Sequence, residues 1–413
     1  MTPLVSPYIK SGMVFGTETE RRLLDALGSP DDRLKIVHIA GTNGKGSTAI
    51  FLSSILKEAG KSVGTFMTPF VYRYEDMFQI NCTPADEDTL TAVMQEVLSC
   101  MESNGIYATQ FEVETATAIL LFKEQGCKYA VLECGMGGKD DATNAVHKKR
   151  LALITDISYE HTEYLGKTLP EITAAKAGII KDCPWILEYS QFEEVYEYFG
   201  LDPWDMDMNC PVKYYDIKDA VGLDGVRFKC GNTWYLIHAH GEEQAYNALL
   251  AMQAARELCI GLDVIKAGLE KACIPGRIDE FHLGRKLYVL DGAHNPSSFY
   301  TLEKYLRDTR GSLRIIYGCL RDKNATDCLD YLSGFKKAKV SVVSPPSPRA
   351  MDEDRIYEIC SRYFKDVTRY KTVTEALDAS TETTTVVCGS FTFLPEALKW
   401  LDRKWTEKKS SKQ

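Results

Sequence analysis

The residues best suited to chemistry in this chain form one glycine-rich segment, HIAGTNGKGST, at positions 38–48. Its glycines allow the backbone to turn tightly and to direct N–H groups at a phosphate. Lys45 can reach the terminal phosphates of a nucleotide, and Ser47 or Thr48 can offer a hydroxyl near a magnesium ion. The spacing departs from the common G-x-x-x-x-G-K-[ST] pattern because Gly46 follows the lysine. Between an apolar strand and a helix, this order of residues predicts a phosphate-binding loop rather than a plain turn.

Glu133 and His161 each follow a short apolar run. Glu133 stands in LECGMGGKDDATN, and a carboxylate that faces a phosphate loop suits magnesium. A surface acid at a strand end is the simpler explanation, but the glycines after it permit close approach of the backbone. A lone histidine such as His161, in TDISYEHTEYLG, is more often structural than a ligand. Its expected place at the same sheet edge as Glu133 favours a functional role.

Three more candidates are less decisive. Lys176 stands in PEITAAKAGIIK, where small neighbours could surround the amine and lower its pKa. From the residues alone, an ordinary helix lysine is the better explanation. Asp291 and His294 stand in VLDGAHNP, a strand followed by a tight turn. Asp-Gly and Asn-Pro are good turn residues, so a simple turn and a phosphate or ribose site both remain open.

The elements that must position these residues alternate between strands and helices. Expected strands are 34–40, 61–67, 129–133 and 151–157, and expected helices are 15–28, 49–59, 111–125 and 243–258, with Thr83 as the N-cap of another. This alternation predicts a mostly parallel α/β sheet, in which ligands bind at the carboxyl ends of the strands. Residues 222–238 alternate in short runs and predict a small antiparallel hairpin on the same domain.

The length of the chain predicts two domains, because 413 residues exceed the size at which one core usually keeps growing. We place the first domain at 1–276, a linker at 277–284 and a smaller α/β domain at 285–413. In the smaller domain, expected strands are 286–291, 313–318, 338–343 and 384–389, and expected helices are 298–309, 325–334, 352–363 and 394–408.

Composition narrows the class of protein. A net charge of −9 argues against a general nucleic-acid binder. No run approaches the ~20 apolar residues of a membrane span. The 13 cysteines lack paired C-x-x-C spacing, and the first residues lack a secretory pattern, so we expect reduced thiols in a cytoplasmic protein. We expect a monomer that binds small molecules and neither nucleic acid nor membrane.

Segments along nearly the whole chain resemble the folylpolyglutamate synthase and dihydrofolate synthase family, ATP-dependent ligases related to the Mur ligases. They are FGTETERRLLDALG, HIAGTNGKGST, TPFVYRYEDMFQI, FEVETATA, LECGMGGKDDATN, EHTEYLGKTLPEITAAKAGIIK, EQAYNA, PGR, LDGAHNP, LRDK and SPRA. The resemblance implies an N-terminal P-loop-type ATPase domain with a mostly parallel sheet and a small antiparallel sheet. It also implies a smaller C-terminal Rossmann-like domain.

The resemblance further implies roles for individual residues. Those that match ATP contacts are Thr42, Asn43, Gly44, Lys45, Gly46, Ser47, Asn247, Arg277 and Asp291. Those that match magnesium ligands are Thr68, Glu133, His161 and Lys176. Lys176 matches a lysine that is carbamylated in the family, and His294 matches a histidine near the reacting phosphate. Lys45, Lys176 and His294 are therefore the expected catalytic residues.

Four positions depart from the family pattern. Thr68 replaces a serine but keeps the hydroxyl, and Glu160 replaces the aspartate before the histidine. Glu243 replaces a histidine, and Ile274 replaces an aromatic residue before Pro275. The adenine pocket is therefore expected to differ in detail, while the metal and phosphate centre keeps its residue types.

The expected reaction joins L-glutamate to a folate, to dihydropteroate, or to both. A carboxylate is a poor acyl donor, so ATP first converts it to an acyl phosphate, which the amine of glutamate then attacks. A Mur-type amino-acid ligase is disfavoured because the phosphate loop already begins at residue 41, which leaves no room for a separate UDP-binding domain. The hypothesis of a P-loop ATPase without ligase activity does not explain the segments PGR and LDGAHNP. The hypothesis of a catalytically silent scaffold is disfavoured because Lys45, Glu133, His161 and Lys176 are all present.

Overall fold

The computed structural model describes residues 6–12, 14–209, 217–220 and 225–410. The chain forms two compact units, of which the first contains Met1–Phe70 and Tyr74–Cys273 and the second contains Val71–Arg73 and Ile274–Gln413. The contacts thus divide the chain after Cys273, whereas the sequence places the division at residue 276. The inclusion of residues 71–73 in the second unit was not expected from the sequence.

The first unit alternates between strands and helices. Its described strands are β1 (Ile9–Lys10), β2 (Lys35–Ala40), β3 (Val63–Phe66), β4 (Phe78–Ile80), β5 (Thr83–Pro84), β6 (Ala108–Thr109), β7 (Tyr129–Glu133), β8 (Leu151–Ile154), β9 (Trp185–Leu187), β10 (Ile217–Ala220), β11 (Gly225–Cys230) and β12 (Thr233–Ile237). Its described helices are α1 (Glu18–Ala26), α2 (Lys45–Glu58), α3 (Glu87–Asn104), α4 (Gln110–Glu124), α5 (Leu169–Ala177), α6 (Glu193–Tyr198), α7 (Pro203–Asn209), α8 (Glu243–Glu257) and α9 (Leu262–Lys271).

The main sheet of the first unit is mostly parallel, with the strand order β5-β4-β3-β7-β2-β8-β9. Strands β3, β7, β2, β8 and β9 run parallel, and β4 and β5 are antiparallel to their neighbours. The near-continuous burial of β2, β7 and β8 is typical of strands that are covered on both faces. The carboxyl ends of β2, β3, β7 and β8 therefore meet at one edge, which confirms the predicted architecture.

The core of the first unit lies on both faces of this sheet. Helices α1, α3 and α4 contribute apolar side chains to one cluster with β2, β3 and β7. Helix α2 packs against α8 and α9. Across the part of the chain that the structure describes, none of the helices combines the length and apolar character needed to span a bilayer.

A separate antiparallel sheet has the order β10-β11-β12. The pairing of β11 with β12 is the hairpin that the alternating residues predict, and β10 adds a third strand. Residues 222–224 of the predicted hairpin lie outside the described residues.

The second unit is a smaller α/β unit with the sheet order β13-β14-β18-β15-β16-β17. Its strands are β13 (Asp279–Leu283), β14 (Lys286–Leu290), β15 (Leu313–Tyr317), β16 (Lys339–Val342), β17 (Asp366–Arg369) and β18 (Thr384–Cys388), and its described helices are α10 (Pro296–Arg307), α11 (Ala325–Leu332), α12 (Glu353–Tyr363), α13 (Val373–Asp378) and α14 (Leu394–Ser410). All neighbours are parallel except β13, which pairs antiparallel with β14.

Three expectations need correction. The linker at 277–284 contains β13, in which polar residues separate the two apolar ones, Phe281 and Leu283, so that no apolar run marks the strand. Strand β17 was missed because it is an exposed edge strand with little apolar character. Helix α13 was missed because its 6 residues are too few to show a helical period of apolar side chains. The N-cap of α3 is Asp86 rather than Thr83, because the Asp86 carboxylate accepts from Thr89 N, while Thr83 pairs with Ile80 in the sheet.

Candidate functional site

The phosphate loop, residues 41–47, joins β2 to α2 as the sequence predicts. Gly44 caps α2 with a φ of 82°, in the left-handed region that suits glycine. A Cβ at this position would collide with the side-chain amide of Asn247 on α8. The loop and Asn247 are therefore in close contact, and the first N–H groups of α2 are directed to the same place as the positive end of its dipole.

The phosphate loop is anchored to the segment 155–158, which follows β8. Thr42 N donates to the Asp156 carbonyl oxygen at 2.6 Å, and the Asn43 side-chain amide donates to the Asp156 carboxylate at 3.0 Å. The Thr42 hydroxyl donates to Ser158 O and accepts from Ser158 N, both at 3.0 Å. The side chains of Thr42 and Asn43 thus fix the shape of the loop. Strand β8 ends at Ile154, short of the predicted 157, and the residues that follow it form this anchor segment.

Two lysine amines converge at the start of the phosphate loop. Lys45 Nζ donates to the carbonyl oxygens of Gly41 at 3.2 Å and Thr42 at 2.9 Å. Lys176 Nζ donates to the same Gly41 oxygen at 2.6 Å. Lys176 is only 1% exposed, so it is not the ordinary helix lysine that the residues alone favoured. Burial lowers the pKa of Lys176 to about 7, and the nearby charge of Lys45 acts in the same direction.

Glu133 is the last residue of β7 and is buried beside the first turn of α2. Its Oε2 accepts from Thr68 N at 3.3 Å. The same oxygen lies 3.3 Å from the position that a Cβ would take at Gly46. The structure thus brings Glu133, Thr68 and the phosphate loop together, with room that only glycine leaves open. A carboxylate and a hydroxyl are ligands that magnesium prefers, so these residues fit a magnesium ion.

His161 lies on the loop that follows the anchor segment, with a left-handed φ of 49°. Its backbone oxygen accepts from Tyr164 N and Leu165 N, which closes a tight turn. Its Nε2 lies 3.8 Å from a carboxylate oxygen of Glu160, so the replacement of aspartate by glutamate directly affects the surroundings of the imidazole. The Leu165 side chain approaches to within 2.9 Å of a Cβ position at Gly137, which joins this loop to the one after Glu133.

The second unit brings two of its candidates, Arg277 and His294, into contact with Phe391, a residue that the sequence did not single out. Arg277 lies over the ring of Phe391, with 5.0 Å between Cζ and the ring centroid. The ring of His294 is 5.9 Å from the same ring, and His294 Nδ1 is 2.8 Å from Gly292 O. Phe391 comes after β18, separated from it only by Gly389 and Ser390. An aromatic residue just past the end of a strand is the pattern that could have marked Phe391 as a site residue.

Asp291 is buried at the end of β14 and accepts two backbone hydrogen bonds, from Ile278 N at 2.8 Å and Ala293 N at 2.5 Å. Burial raises the pKa of this carboxyl to about 6, and the charge of Arg277 opposes the shift. Asp291 therefore holds together the segment that carries Arg277 and the turn that carries His294.

Comparison with known proteins identifies the class. Residues 39–255 match the Mur ligase middle domain, and residues 276–391 match the Mur ligase, glutamate ligase domain. The dihydrofolate synthase/folylpolyglutamate synthase of Bacillus subtilis is 31% identical over 376 residues, which cover 85% of this chain and 86% of that protein. The dihydrofolate synthetase of Saccharomyces cerevisiae is 30% identical and covers 75% of this chain and 77% of its own length.

Solved structures of similar proteins support the same class. A Mycobacterium tuberculosis folylpolyglutamate synthase complexed with ADP and AMPPCP superposes with a TM-score of 0.81 at 25% identity, over 94% of this chain and 95% of that one. A Yersinia pestis bifunctional folylpolyglutamate synthase/dihydrofolate synthase with Mn, AMPPNP and L-glutamate bound gives 0.77 at 25% identity, over 95% of both chains.

The chain therefore belongs to the dihydrofolate synthase and folylpolyglutamate synthase family of the Mur ligases. It is an ATP-dependent ligase that forms an amide bond with glutamate in folate metabolism, as the sequence predicts.

Proposed function

We propose that the chain transfers the γ-phosphoryl group of ATP to the carboxylate of a folate-type substrate, and that the amine of L-glutamate then displaces phosphate. The observation that carries this proposal is the convergence of Lys45 and Lys176 at the Gly41 carbonyl in a phosphate loop. The Lys45 amine supplies positive charge that a transferring phosphoryl group needs, and the buried Lys176 amine beside it is the group that accepts CO₂. The Yersinia pestis relative, which binds AMPPNP and L-glutamate, supports both substrates.

The phosphate loop binds the triphosphate through the N–H groups of Gly44–Ser47 and through Lys45. These N–H groups lie at the start of α2, where the first four N–H groups of a helix lack partners within the helix. When phosphates occupy this position, the Lys45 amine exchanges its carbonyl partners for phosphate oxygens. Asn247 contacts the nucleotide from the first unit in this proposal. Arg277, Asp291 and His294 are the nucleotide-binding candidates of the second unit.

Glu133, Thr68 and His161 hold a magnesium ion in this proposal. The ion, when bound, neutralises charge on the phosphates and polarises the group that is transferred. Glu133 supplies the negative charge and is already oriented by the Thr68 N–H. The Yersinia pestis structure with Mn bound supports a divalent metal.

Lys176 is carbamylated in this proposal. A neutral amine attacks CO₂, a C–N bond forms, and one proton is released, which leaves a carbamate anion. The low pKa of Lys176, caused mainly by burial, keeps a large share of the amine neutral near pH 7. The new anion then faces Lys45 and offers a carboxylate-like ligand to a second magnesium ion.

Incorporation of labelled glutamate tests the function and identifies the acceptor. The purified chain is incubated with ATP, Mg²⁺ and labelled glutamate, with either dihydropteroate or tetrahydrofolate as acceptor. We expect incorporation with at least one acceptor, and a loss of about a hundredfold or more in Lys45→Ala. ATP turnover without incorporation on both acceptors would instead indicate an ATPase or a ligase for another carboxylate.

A further inference from the structure

The side chain of Gln191 joins two strands beyond the point where their backbone pairing ends. The last backbone hydrogen bond between β8 and the chain after β9 runs from Glu188 N to Ile154 O at 2.9 Å. Further along, Gln191 Oε1 accepts from Ile157 N at 3.1 Å, and Gln191 Nε2 donates to Thr155 O at 3.1 Å. The side-chain amide thus pairs with the residues on either side of Asp156, as a peptide group of a neighbouring strand does.

Asp156 is the residue on which the phosphate loop depends. Its carbonyl oxygen accepts from Thr42 N, and its carboxylate accepts from the Asn43 amide. A shift of Asp156 would therefore move the loop backbone. Gln191 holds both neighbours of Asp156 from outside the loop, and it lies on a segment to which the family resemblance assigned no role.

The other partner of Gln191 explains why its amide stays in place. Gln191 Nε2 also lies 3.3 Å from Glu188 O and 3.4 Å from Glu188 Oε2. Glu188 is 3% exposed, and its Oε1 has no hydrogen-bond partner among the described residues. Burial raises the pKa of Glu188 to about 8, and the negative charge of Asp156 adds to the shift. A neutral Glu188 competes only weakly with Thr155 O for the amide.

We propose that Gln191 is a positioning residue for nucleotide binding: its side-chain amide extends the pairing of β8 past Ile154 and fixes Asp156, which in turn fixes Thr42 and Asn43 of the phosphate loop. This inference rests on the proposed function to the extent that the loop binds ATP. It predicts that Gln191 controls nucleotide affinity without touching the nucleotide.

The test measures the Kd of AMPPNP by calorimetry for wild type, Gln191→Ala and Gln191→Glu. Gln191→Ala loses both backbone hydrogen bonds, so we expect the Kd to rise about tenfold or more. Gln191→Glu keeps an acceptor for Ile157 N but loses the donor to Thr155 O, so its Kd should lie between those of wild type and Gln191→Ala. Because Gln191→Glu preserves the size of the side chain, it provides the result if the alanine variant does not fold.

Gln253→Ala is the matched control. Gln253 Nε2 donates to the Tyr189 hydroxyl at 2.7 Å, so this change removes a hydrogen bond to the same segment but leaves residues 155–157 untouched. We expect a lower melting temperature for the control and a Kd within about twofold of wild type. A wild-type Kd in both Gln191 variants, or an equal weakening in Gln253→Ala, overturns the positioning role. Failure of the wild type itself to bind AMPPNP overturns the proposed function instead, and this inference with it.

Discussion

Lys45 and Lys176 donate to one acceptor, the carbonyl oxygen of Gly41. The two lysines are far apart in the sequence, Lys45 at the start of α2 and Lys176 near the end of α5. Burial lowers the pKa of the Lys176 amine to about 7, and repulsion from the positive charge of Lys45 at the same oxygen acts in the same direction. This relationship leaves a reactive amine beside the phosphate loop. An anionic group on Lys176, or a triphosphate between the amines, would relieve the repulsion.

The first prediction concerns the carbamate on Lys176. Lys176→Ala removes the amine, so we expect activity to fall by about a hundredfold, because the proposed carbamate ligand for magnesium is lost. Small carboxylates such as acetate or formate should restore part of the activity by occupying the vacated space. Steady-state glutamate incorporation, with and without added carboxylate, measures both effects.

Lys167→Ala is the control for this prediction, because Lys167 is an exposed lysine just before α5. It should retain wild-type activity and show no response to carboxylates. Full activity in Lys176→Ala would refute the carbamate role.

The second prediction concerns the space between Gly46 and Glu133. Gly46→Ala places a methyl group 3.3 Å from Glu133 Oε2, at the position proposed for the metal. In an ordinary helix this change stabilises the fold by about 1 kcal/mol. The Glu133 carboxylate must shift by a few tenths of an ångström to admit this methyl group, which offsets part of that gain. We therefore expect a folded protein whose stability in urea stays within about 1 kcal/mol of wild type, but whose ligase activity falls at least about tenfold.

Gly261→Ala provides the comparison, because a Cβ at Gly261 meets no atom within 4 Å. That variant should keep its activity. Unchanged activity in Gly46→Ala would show that the site does not need this space.

The third prediction concerns Phe391 in the second unit. The ring contacts the guanidinium of Arg277 and the imidazole of His294, so Phe391→Leu keeps bulk but removes the aromatic face. Cation–π contacts of this kind contribute about 1 kcal/mol, so we expect the KM for ATP to rise about fivefold with little change in melting temperature. Phe335→Leu, a partly buried phenylalanine of the same unit, should leave the KM unchanged. If Phe391→Leu and Phe335→Leu have the same KM for ATP, Phe391 does not contribute to ATP binding.

The sequence predicts the parts of this protein that depend on local pattern. The phosphate loop follows from glycine spacing between a strand and a helix, and Glu133 follows from its place at a strand end. The small neighbours of Lys176 indicate a close-packed amine, but they could not decide against an ordinary helix lysine, because the burial depends on α5 packing against the Gly41 carbonyl from a distant part of the chain. Gln191 and Phe391 were missed for the same reason, since their partners are far away in sequence. Strand β13 was missed because its polar edge position gives no apolar run.

The last prediction concerns Glu20 on α1, whose two carboxylate oxygens are buried without a hydrogen-bond partner among the described residues. Burial raises the pKa of Glu20 well above its usual value, and the negative charge of Glu112 adds to the shift. The folded protein therefore keeps the proton in a pH range where the unfolded chain has released it, so stability is fully present at acidic pH and falls as the pH rises. Within this range, each rise of one pH unit lowers the free energy of unfolding by about 1.4 kcal/mol. Glu20→Gln cannot ionise, so its urea stability relative to wild type should improve steadily from pH 5 towards pH 8, even if the amide itself lowers stability at every pH.

The control for this last prediction is Glu18→Gln, an exposed change on the same helix, which should show no such trend. A stability difference between Glu20→Gln and wild type that does not vary with pH would mean that Glu20 is ionised or hydrated in the folded protein.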